Sequence, residues 1–122
     1  MEYLSNLFKG RLSVGNFWVG ILLPMIICVP IGFIPNYSTS PFYNFISIPL
    51  VVVLLVYYLS LTIRRLHDHD KSGWFGLAVY LPIYGLYVLF LLFYLSGNEK
   101  ANKYGESPNR KIKLDSILAL QK

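Results

Sequence analysis

The chain alternates between long uncharged apolar segments and short polar blocks. Residues 12–63 contain no Asp, Glu, Lys or Arg, and residues 72–98 contain none either. Both stretches exceed the roughly 20 consecutive apolar residues that a membrane-spanning helix needs. The pattern therefore predicts that a lipid bilayer surrounds most of the chain.

The first uncharged stretch predicts a hairpin of two membrane helices. Its apolar residues are divided by PNYSTSP at 35–41, a polar segment bounded by prolines that is typical of a turn. On this basis we place the helices near 17–34 and 45–63. A cleaved signal peptide is the competing interpretation, but the stretch is too long and no small-residue cleavage site follows it.

The third apolar segment, at 74–95, has the length of a span but carries Pro82 and Gly85 near its middle. Proline and glycine are tolerated in membrane helices where neighbouring groups satisfy the freed backbone, so the segment is either kinked or re-entrant. We expect three full spans, because a small monomer offers little protein in which to bury a re-entrant turn. The expected fold class is an all-α membrane protein with three hydrophobic helical segments, forming a single integral-membrane domain over 1–122.

The two ends of the chain predict short segments lying in the membrane interface. The opening MEYLSNLFKGRLS places Tyr3, Leu4, Leu7 and Phe8 on one helical face, which is typical of an interfacial helix or, alternatively, of a frayed tail. The basic tail, 97–122, ends in KIKLDSILALQK, where Ile and Leu again alternate with charged residues. We expect a second surface-lying piece there.

Composition supports a membrane protein and narrows its partners. Of the 122 residues 55% are hydrophobic and only 14% are charged, against about 25% charged in soluble domains. The net charge of +5 comes from Lys and Arg beside the apolar segments, where anionic lipid headgroups attract them. No phosphate-binding glycine loop, zinc spacing or RNA-binding signature occurs, so we expect neither nucleic acid nor a cofactor. The lone Cys28 indicates a small buried hydrophobe.

The orientation of the chain depends on the third segment. With three full spans, the basic residues before it and those after it lie on opposite sides, and the positive-inside rule gives a tie. With a re-entrant third segment, all ten lie on the cytoplasmic side. The first group comprises Lys9, Arg11, Arg64, Arg65 and Lys71, and the second comprises Lys100, Lys103, Arg110, Lys111 and Lys113.

The most concentrated polar block is RRLHDHDKSGW, at 64–74, which holds both histidines of the chain. If the second helix continues past Ile63, Asp68 is spaced for salt bridges with Arg64 and Arg65 on one helical surface. The simplest interpretation is a charged cap, in which the arginines reach lipid phosphates. Ser72 and Gly73 then end the turn, and Trp74 anchors the third segment.

A metal site is the second interpretation of this block. His67, Asp68, His69 and Asp70 are four ligand types in a row. Adjacent helical residues point about 100° apart, so only His67 and Asp70 lie side by side, and two protein ligands make a weak site. We therefore predict no metal site, with His67 and Asp70 as the only candidate ligands.

A headgroup or phospho-ligand clamp is the third interpretation. Guanidinium groups beside a carboxylate and a histidine can hold a phosphate in bidentate fashion. Catalysis would also need a nucleophile or base, for which only His67, Asp68 and Ser72 are available, and no reaction signature accompanies them. We assign no catalytic residue. The candidate headgroup-binding residues are Arg11, Arg64, Arg65, His67 and Asp68.

Three polar blocks in order, FKGRLSVGNFW, RRLHDHDKSGW and GNEKANKYGESP, resemble the domain-of-unknown-function family 805, YhaH-like small bacterial inner-membrane proteins. The family pattern is an Arg-Arg-Leu-His-Asp box, a Ser-Gly-Trp opening of the last apolar segment and an Asn-x-Tyr-Gly-x-x-Pro tail. Departures are Val14, where Arg is usual, and Lys100, where Gly is usual. The matching positions are Gly10, Arg11, Phe17, Trp18, Arg64, Arg65, Leu66, His67, Asp68, Ser72, Gly73, Trp74, Asn102, Tyr104, Gly105 and Pro108.

The resemblance implies a multi-pass protein of the inner membrane, and it implies no activity. His69 and Asp70 fall at variable positions of the family pattern, which weakens the metal interpretation. Transport is disfavoured because the predicted spans contain no ionisable residue that would mark an ion pathway.

Two functional hypotheses remain. The first is a non-enzymatic structural or accessory component, self-associating or bound to a larger membrane complex, whose polar blocks form a platform at headgroup level. The second is a lipid-headgroup or phospho-ligand site, with or without catalysis, centred on Arg65, His67 and Asp68.

Overall fold

The computed structural model describes residues 2–32, 41–108 and 117–118. Within these ranges the fold is mostly helical and contains no β-strand, apart from an isolated bridge between Asn102 and Gly105. The elements in chain order are α1 (Glu2–Leu7), α2 (Val14–Gly32), α3 (Pro41–Asp68), a 3₁₀ helix (Gly73–Tyr80) and α4 (Pro82–Phe93).

Helix α3 is the longest element. Its 28 residues extend about 42 Å at 1.5 Å per residue, which exceeds the roughly 30 Å of a bilayer's hydrocarbon core. Among the described residues it is the one helix that is long and apolar enough to cross a membrane. The expected limits, 45–63, were too narrow. The helix continues through RRLHD because Arg and Leu are good helix formers, and positive side chains in the last turn suit the helix dipole.

Helix α2 begins three residues before its expected start and includes Pro24 and Pro30. The expected end at Ile34 and most of the expected turn at 35–41 lie outside the described residues. Its first half packs closely against α3. The hydroxyl of Tyr57 donates to the Gly20 carbonyl at 2.9 Å.

The third apolar segment is not one continuous helix. The 3₁₀ helix ends at Tyr80, and Leu81 is extended before Pro82 opens α4. The ring centroids of Phe75 and Tyr84 are 5.8 Å apart, whereas a straight α-helix would place these positions about 13 Å apart. The segment therefore folds back on itself near the proline, and three membrane spans are not confirmed.

Both ends of this folded segment lie at the carboxyl end of α3. The 3₁₀ helix begins at Gly73, shortly after α3 ends at Asp68, and the Asn98 backbone N–H after α4 donates to the Asp68 carbonyl at 2.8 Å. The chain before α2 reaches the same region, because the Leu12 N–H donates to the Arg64 carbonyl at 3.1 Å. The chain thus leaves α3 at its last turn, forms the 3₁₀ helix and α4, and returns to the same turn of α3.

The flanks are partly described. The N-terminal segment forms the short helix α1, and its position in the membrane interface stays a prediction. Of the expected C-terminal surface piece, Ile117 and Leu118 are described and the rest lies outside the described residues. Ile117 is buried beside Gly20 and Leu61. The buried apolar core comprises Leu12, Phe17, Leu61, Leu66, Val88, Leu91, Leu92 and Ile117.

Candidate functional site

The centre of the polar region is the Asp68 carboxylate, held between two arginines. Its Oδ1 accepts from Arg11 Nε at 3.1 Å and Nη2 at 2.9 Å, and its Oδ2 accepts from Arg65 Nη1 at 2.6 Å. Asp68 and Arg65 are completely buried, and Arg11 is nearly so. The expected Arg65–Asp68 pair is thus confirmed, and Arg11 joins it to form a buried triad, Arg11–Asp68–Arg65.

The remaining N–H groups of Arg11 hold the C-terminal block. Nη1 donates to the Lys100 carbonyl at 2.7 Å and to the Gly105 carbonyl at 3.3 Å, and Nη2 donates to the Asn98 carbonyl. These acceptors lie within a few residues of one another, just after the third apolar segment. Arg11 therefore fastens the first polar block to the third.

Arg65 makes the corresponding links to the apolar segments. Its Nε donates to the Leu92 carbonyl at 2.9 Å, Nη1 donates to the Leu12 carbonyl at 3.3 Å, and Nη2 donates to the Leu95 carbonyl. Leu92 lies in the last turn of α4, so these bonds tie α3 to the returning end of the third segment. A buried charge is tolerable only when it is paired and hydrogen-bonded, and Arg65 meets both conditions.

Gly97 permits the return of the chain beside the triad. A Cβ atom at this position would overlap both the carboxylate and the backbone carbonyl of Asp68. Sequence reasoning missed this residue, because a glycine before an asparagine is an ordinary turn signal and nothing in the sequence relates it to Asp68.

His67, one residue before Asp68, also contacts the first and third polar blocks. Its Nδ1 lies 3.1 Å from the Gly10 carbonyl, to which it can only donate, and its ring stacks on Tyr104 with centroids 3.8 Å apart. Asn102 Nδ2 donates to the His67 carbonyl at 2.9 Å. The family-pattern residues Gly10, His67, Asn102 and Tyr104 are thus in direct contact.

Arg64 points away from this cluster. Its Nη1 donates to the Ile117 carbonyl at 3.2 Å, so its guanidinium contacts the C-terminal piece. Of the five candidate headgroup residues, the structure brings together Arg11, Arg65 and Asp68, sets His67 beside them, and directs Arg64 elsewhere.

The two candidate metal ligands, His67 and Asp70, do not form a common site. Asp70 is exposed on a turn with a φ of 57°, whereas His67 is engaged by Gly10 and Tyr104. No group of three or more His, Cys, Asp or Glu side chains that could hold a metal occurs in the described part of the chain.

His69 lies just beyond α3 and is half-buried. Burial lowers the pKa of its imidazole, and the positive charge of Arg65 lowers it further, because both disfavour the protonated ring. His69 is therefore neutral near pH 7.

The SGW motif marks the start of the third segment, as expected. Ser72 is extended and precedes the 3₁₀ helix, and Gly73 packs against Ile63. Trp74 is 82% exposed, which suits contact with lipid, whereas the Trp18 indole N–H donates to the Phe93 carbonyl at 2.8 Å. Trp18 therefore helps to hold the returning end of the third segment.

The long apolar helix, the exposed apolar surface and the enclosed polar cluster are typical of a small helical membrane protein. The sequence model of the family described as "Protein of unknown function (DUF805)" matches residues 6–106, and the chain belongs to that family. It is 32% identical over 111 residues to the inner membrane protein YhaI of Escherichia coli strain K12, covering 87% of this chain and 93% of that protein. It is 22% identical over 104 residues to the inner membrane protein YhaH of the same strain, covering 83% and 86%. No solved structure matches.

Proposed function

We propose that this protein is a non-enzymatic structural or accessory component of the inner membrane. Its three polar blocks, 8–18, 64–74 and 97–108, form one platform at the level of the cytoplasmic headgroups. Two membrane-crossing helices, α2 and α3, and a re-entrant third segment carry the platform. The single observation that supports this most strongly is the Arg11–Asp68–Arg65 triad.

The triad supports a structural role because its guanidinium and carboxylate groups form hydrogen bonds with other groups of the protein. The guanidinium of Arg65 contacts one carboxylate and three backbone carbonyls, and that of Arg11 contacts the same carboxylate and carbonyls of the tail. Together they join residues that are distant in sequence. Such a cluster fixes the relative positions of the three blocks and gives the platform a defined shape.

The re-entrant topology is supported by the meeting of Asn98 with Asp68 and by the fold-back at Pro82. A non-helical turn within a membrane must satisfy its own backbone groups. Here the Leu81 N–H donates to Ala78, Pro82 has no N–H, and the Gly85 N–H donates to the Leu81 carbonyl at 2.7 Å. These bonds satisfy part of the turn's backbone and so reduce the need to bury it in protein, which was the argument for three full spans.

The charges support a cytoplasmic platform. With a re-entrant third segment, the basic residues of all three blocks lie at one end of α3, as the positive-inside rule requires for the cytoplasmic side. The exposed ones are suited to anionic headgroups and to acidic surfaces of another protein. These exposed residues include Lys9, Lys71, Lys100 and Lys103.

The partners of the platform are anionic membrane lipids, together with a second copy of the chain or a larger membrane complex. Nucleic acid is not among them, because the sequence carries no nucleic-acid signature beside its basic residues.

The second candidate function is a lipid-headgroup or phospho-ligand site centred on Arg65, His67 and Asp68. The observation that favours it is that His67 also lines an apolar cavity beside the platform. The enclosure of Arg65 and Asp68 by protein groups is the observation against it.

Single replacement of Arg65, His67 and Asp68 with Ala distinguishes the two candidates. A structural role predicts that Arg65→Ala and Asp68→Ala accumulate poorly in the membrane, since each leaves a buried charge without its partner. The measurements are membrane abundance and thermal unfolding in mild detergent, with phosphatidylglycerol binding followed in parallel. Arg65→Ala or Asp68→Ala variants that remain abundant and folded but lose phospholipid binding would contradict the structural role.

A further inference from the structure

An apolar cavity of about 720 Å³ lies among α2, α3, the 3₁₀ helix and α4. Its volume falls within the range of roughly 300–1,000 Å³ typical of ligand pockets. Leu59 and Ile63 line it from α3, Trp74 and Leu77 from the 3₁₀ helix, and Phe93 from α4. The triad takes no part in its walls, so the cavity is a feature that the proposed platform does not use.

The cavity runs from the platform toward the interior of the membrane. Along α3 its lining extends from His67 back to Leu59, which corresponds to about 12 Å of helix. One leaflet of the hydrocarbon core is about 15 Å thick. The cavity thus has the depth and the apolar lining that suit an extended acyl chain rather than a polar metabolite.

Two exposed lysines lie close in the chain to residues that line the cavity. Phe8 and Gly73 line it, Lys9 directly follows Phe8, and Lys71 lies two residues before Gly73. The Lys71 Nζ lies 5.4 Å from the centroid of the Phe75 ring, which directs the ammonium toward the 3₁₀ helix. A ligand with an apolar chain and a negative head complements both parts of this site.

We propose that the cavity holds one acyl chain of an anionic phospholipid, with its phosphate contacting Lys9 and Lys71. The site goes beyond the platform function and involves neither Arg11, Arg65 nor Asp68. The lipid lies where α3 meets the re-entrant segment, and its acyl chain fills the space left where the third segment folds back.

Native mass spectrometry of the detergent-purified full chain, titrated with phosphatidylglycerol or phosphatidylcholine, tests this site. Leu59→Trp fills the cavity, and Leu55→Trp is its matched control, because Leu55 lies one turn away with nearly equal exposure (57% against 56%) outside the cavity. We expect the wild-type chain to bind one phosphatidylglycerol about tenfold more tightly than phosphatidylcholine. We expect the Leu59→Trp variant to lose most of its phosphatidylglycerol binding. Leu55→Trp should leave the binding unchanged.

The charge requirement is tested with Lys9→Ser combined with Lys71→Ser, against Lys100→Ser combined with Lys103→Ser as a control for the general loss of two exposed positive charges. We expect the double variant to remove the preference for phosphatidylglycerol and the control to retain it. Equal binding of both lipids by the wild-type chain, or an equal loss in the Leu59 and Leu55 variants, would overturn the proposal. Because both leucines are exposed, circular dichroism of the two variants should match the wild type.

Discussion

At the scale of single residues, Asp68 compensates two buried arginines at once. Removal of one partner from a buried ion pair costs about 3–5 kcal/mol, because the remaining charge stays desolvated. Asp68→Asn keeps the shape of the side chain and removes the charge. We therefore expect a loss of stability of about 3–5 kcal/mol, measured by thermal or denaturant unfolding in detergent.

Asp70→Asn is the matched control for this change. It is the same substitution two residues further on, at an exposed position on the turn after α3. Exposed charges contribute little, so the expected change is below about 0.5 kcal/mol. Equal stability of the two variants would show that the triad does not hold the platform together.

His69 is expected to make the folding stability depend on pH. Its folded-state pKa lies below the usual value of 6.5, so the unfolded chain binds more protons between the two pKa values. The contribution of His69 to the free energy of unfolding is therefore fully present above about pH 6.5 and is lost as the pH drops below that value. Unfolding followed at pH 7.5 and pH 5.5 should show this loss in the wild-type chain and a smaller loss in His69→Asn. An equal loss in both would assign the dependence to another group.

Sequence reasoning identified most residues of the cluster but not their arrangement. RRLHD was predicted as a charged helix end, and the Arg65–Asp68 spacing followed from helical geometry. The acceptors of Arg11 and Arg65 are mainly backbone carbonyls, which every residue carries, so no side-chain pattern points to Asn98 or Leu95. Gly97 was missed because its role is to leave space for Asp68, and a sequence does not show which residue will lie against a glycine.

At the scale of elements, the third apolar segment differs most from its expected form. Length and hydropathy predicted a span over 74–95, and they predicted the weak point at Pro82 and Gly85. The structure does not show the expected full span, because the two halves of the segment fold back on each other at this point. That outcome depends on contacts between the two halves and on the anchoring of both ends at Asp68, which are tertiary features.

Gly85 permits the close approach of the two halves of this segment. A Cβ atom there would overlap the Val79 carbonyl, whereas one at Gly76 would meet Leu66 at 3.4 Å, an ordinary contact. We expect Gly85→Ala to lower stability by about 1–3 kcal/mol through overpacking, and Gly76→Ala to have little effect. Thermal unfolding in detergent compares them, and a neutral Gly85→Ala would contradict the observed packing of the fold-back.

At the scale of the whole molecule, the three polar blocks meet at one end of α3 although the chain separates them by long apolar segments. Leu12, Asn98 and Asn102 reach the last turns of that helix through hydrogen bonds to main-chain carbonyls. If α3 crosses the membrane, this meeting requires that the chain before α2 and the chain after α4 lie on the same side. Three full spans would place them on opposite sides.

Cysteine accessibility in membrane vesicles tests this account most directly. In a Cys28→Ser background, single cysteines replace Ser5, Ser38 and Ser107, and a membrane-impermeant maleimide is applied to right-side-out and inside-out vesicles. The account predicts that the cysteines at Ser5 and Ser107 react from the cytoplasmic side and the one at Ser38 from the opposite side. Reaction of the Ser5 and Ser107 variants from opposite sides would contradict the re-entrant segment and the single platform.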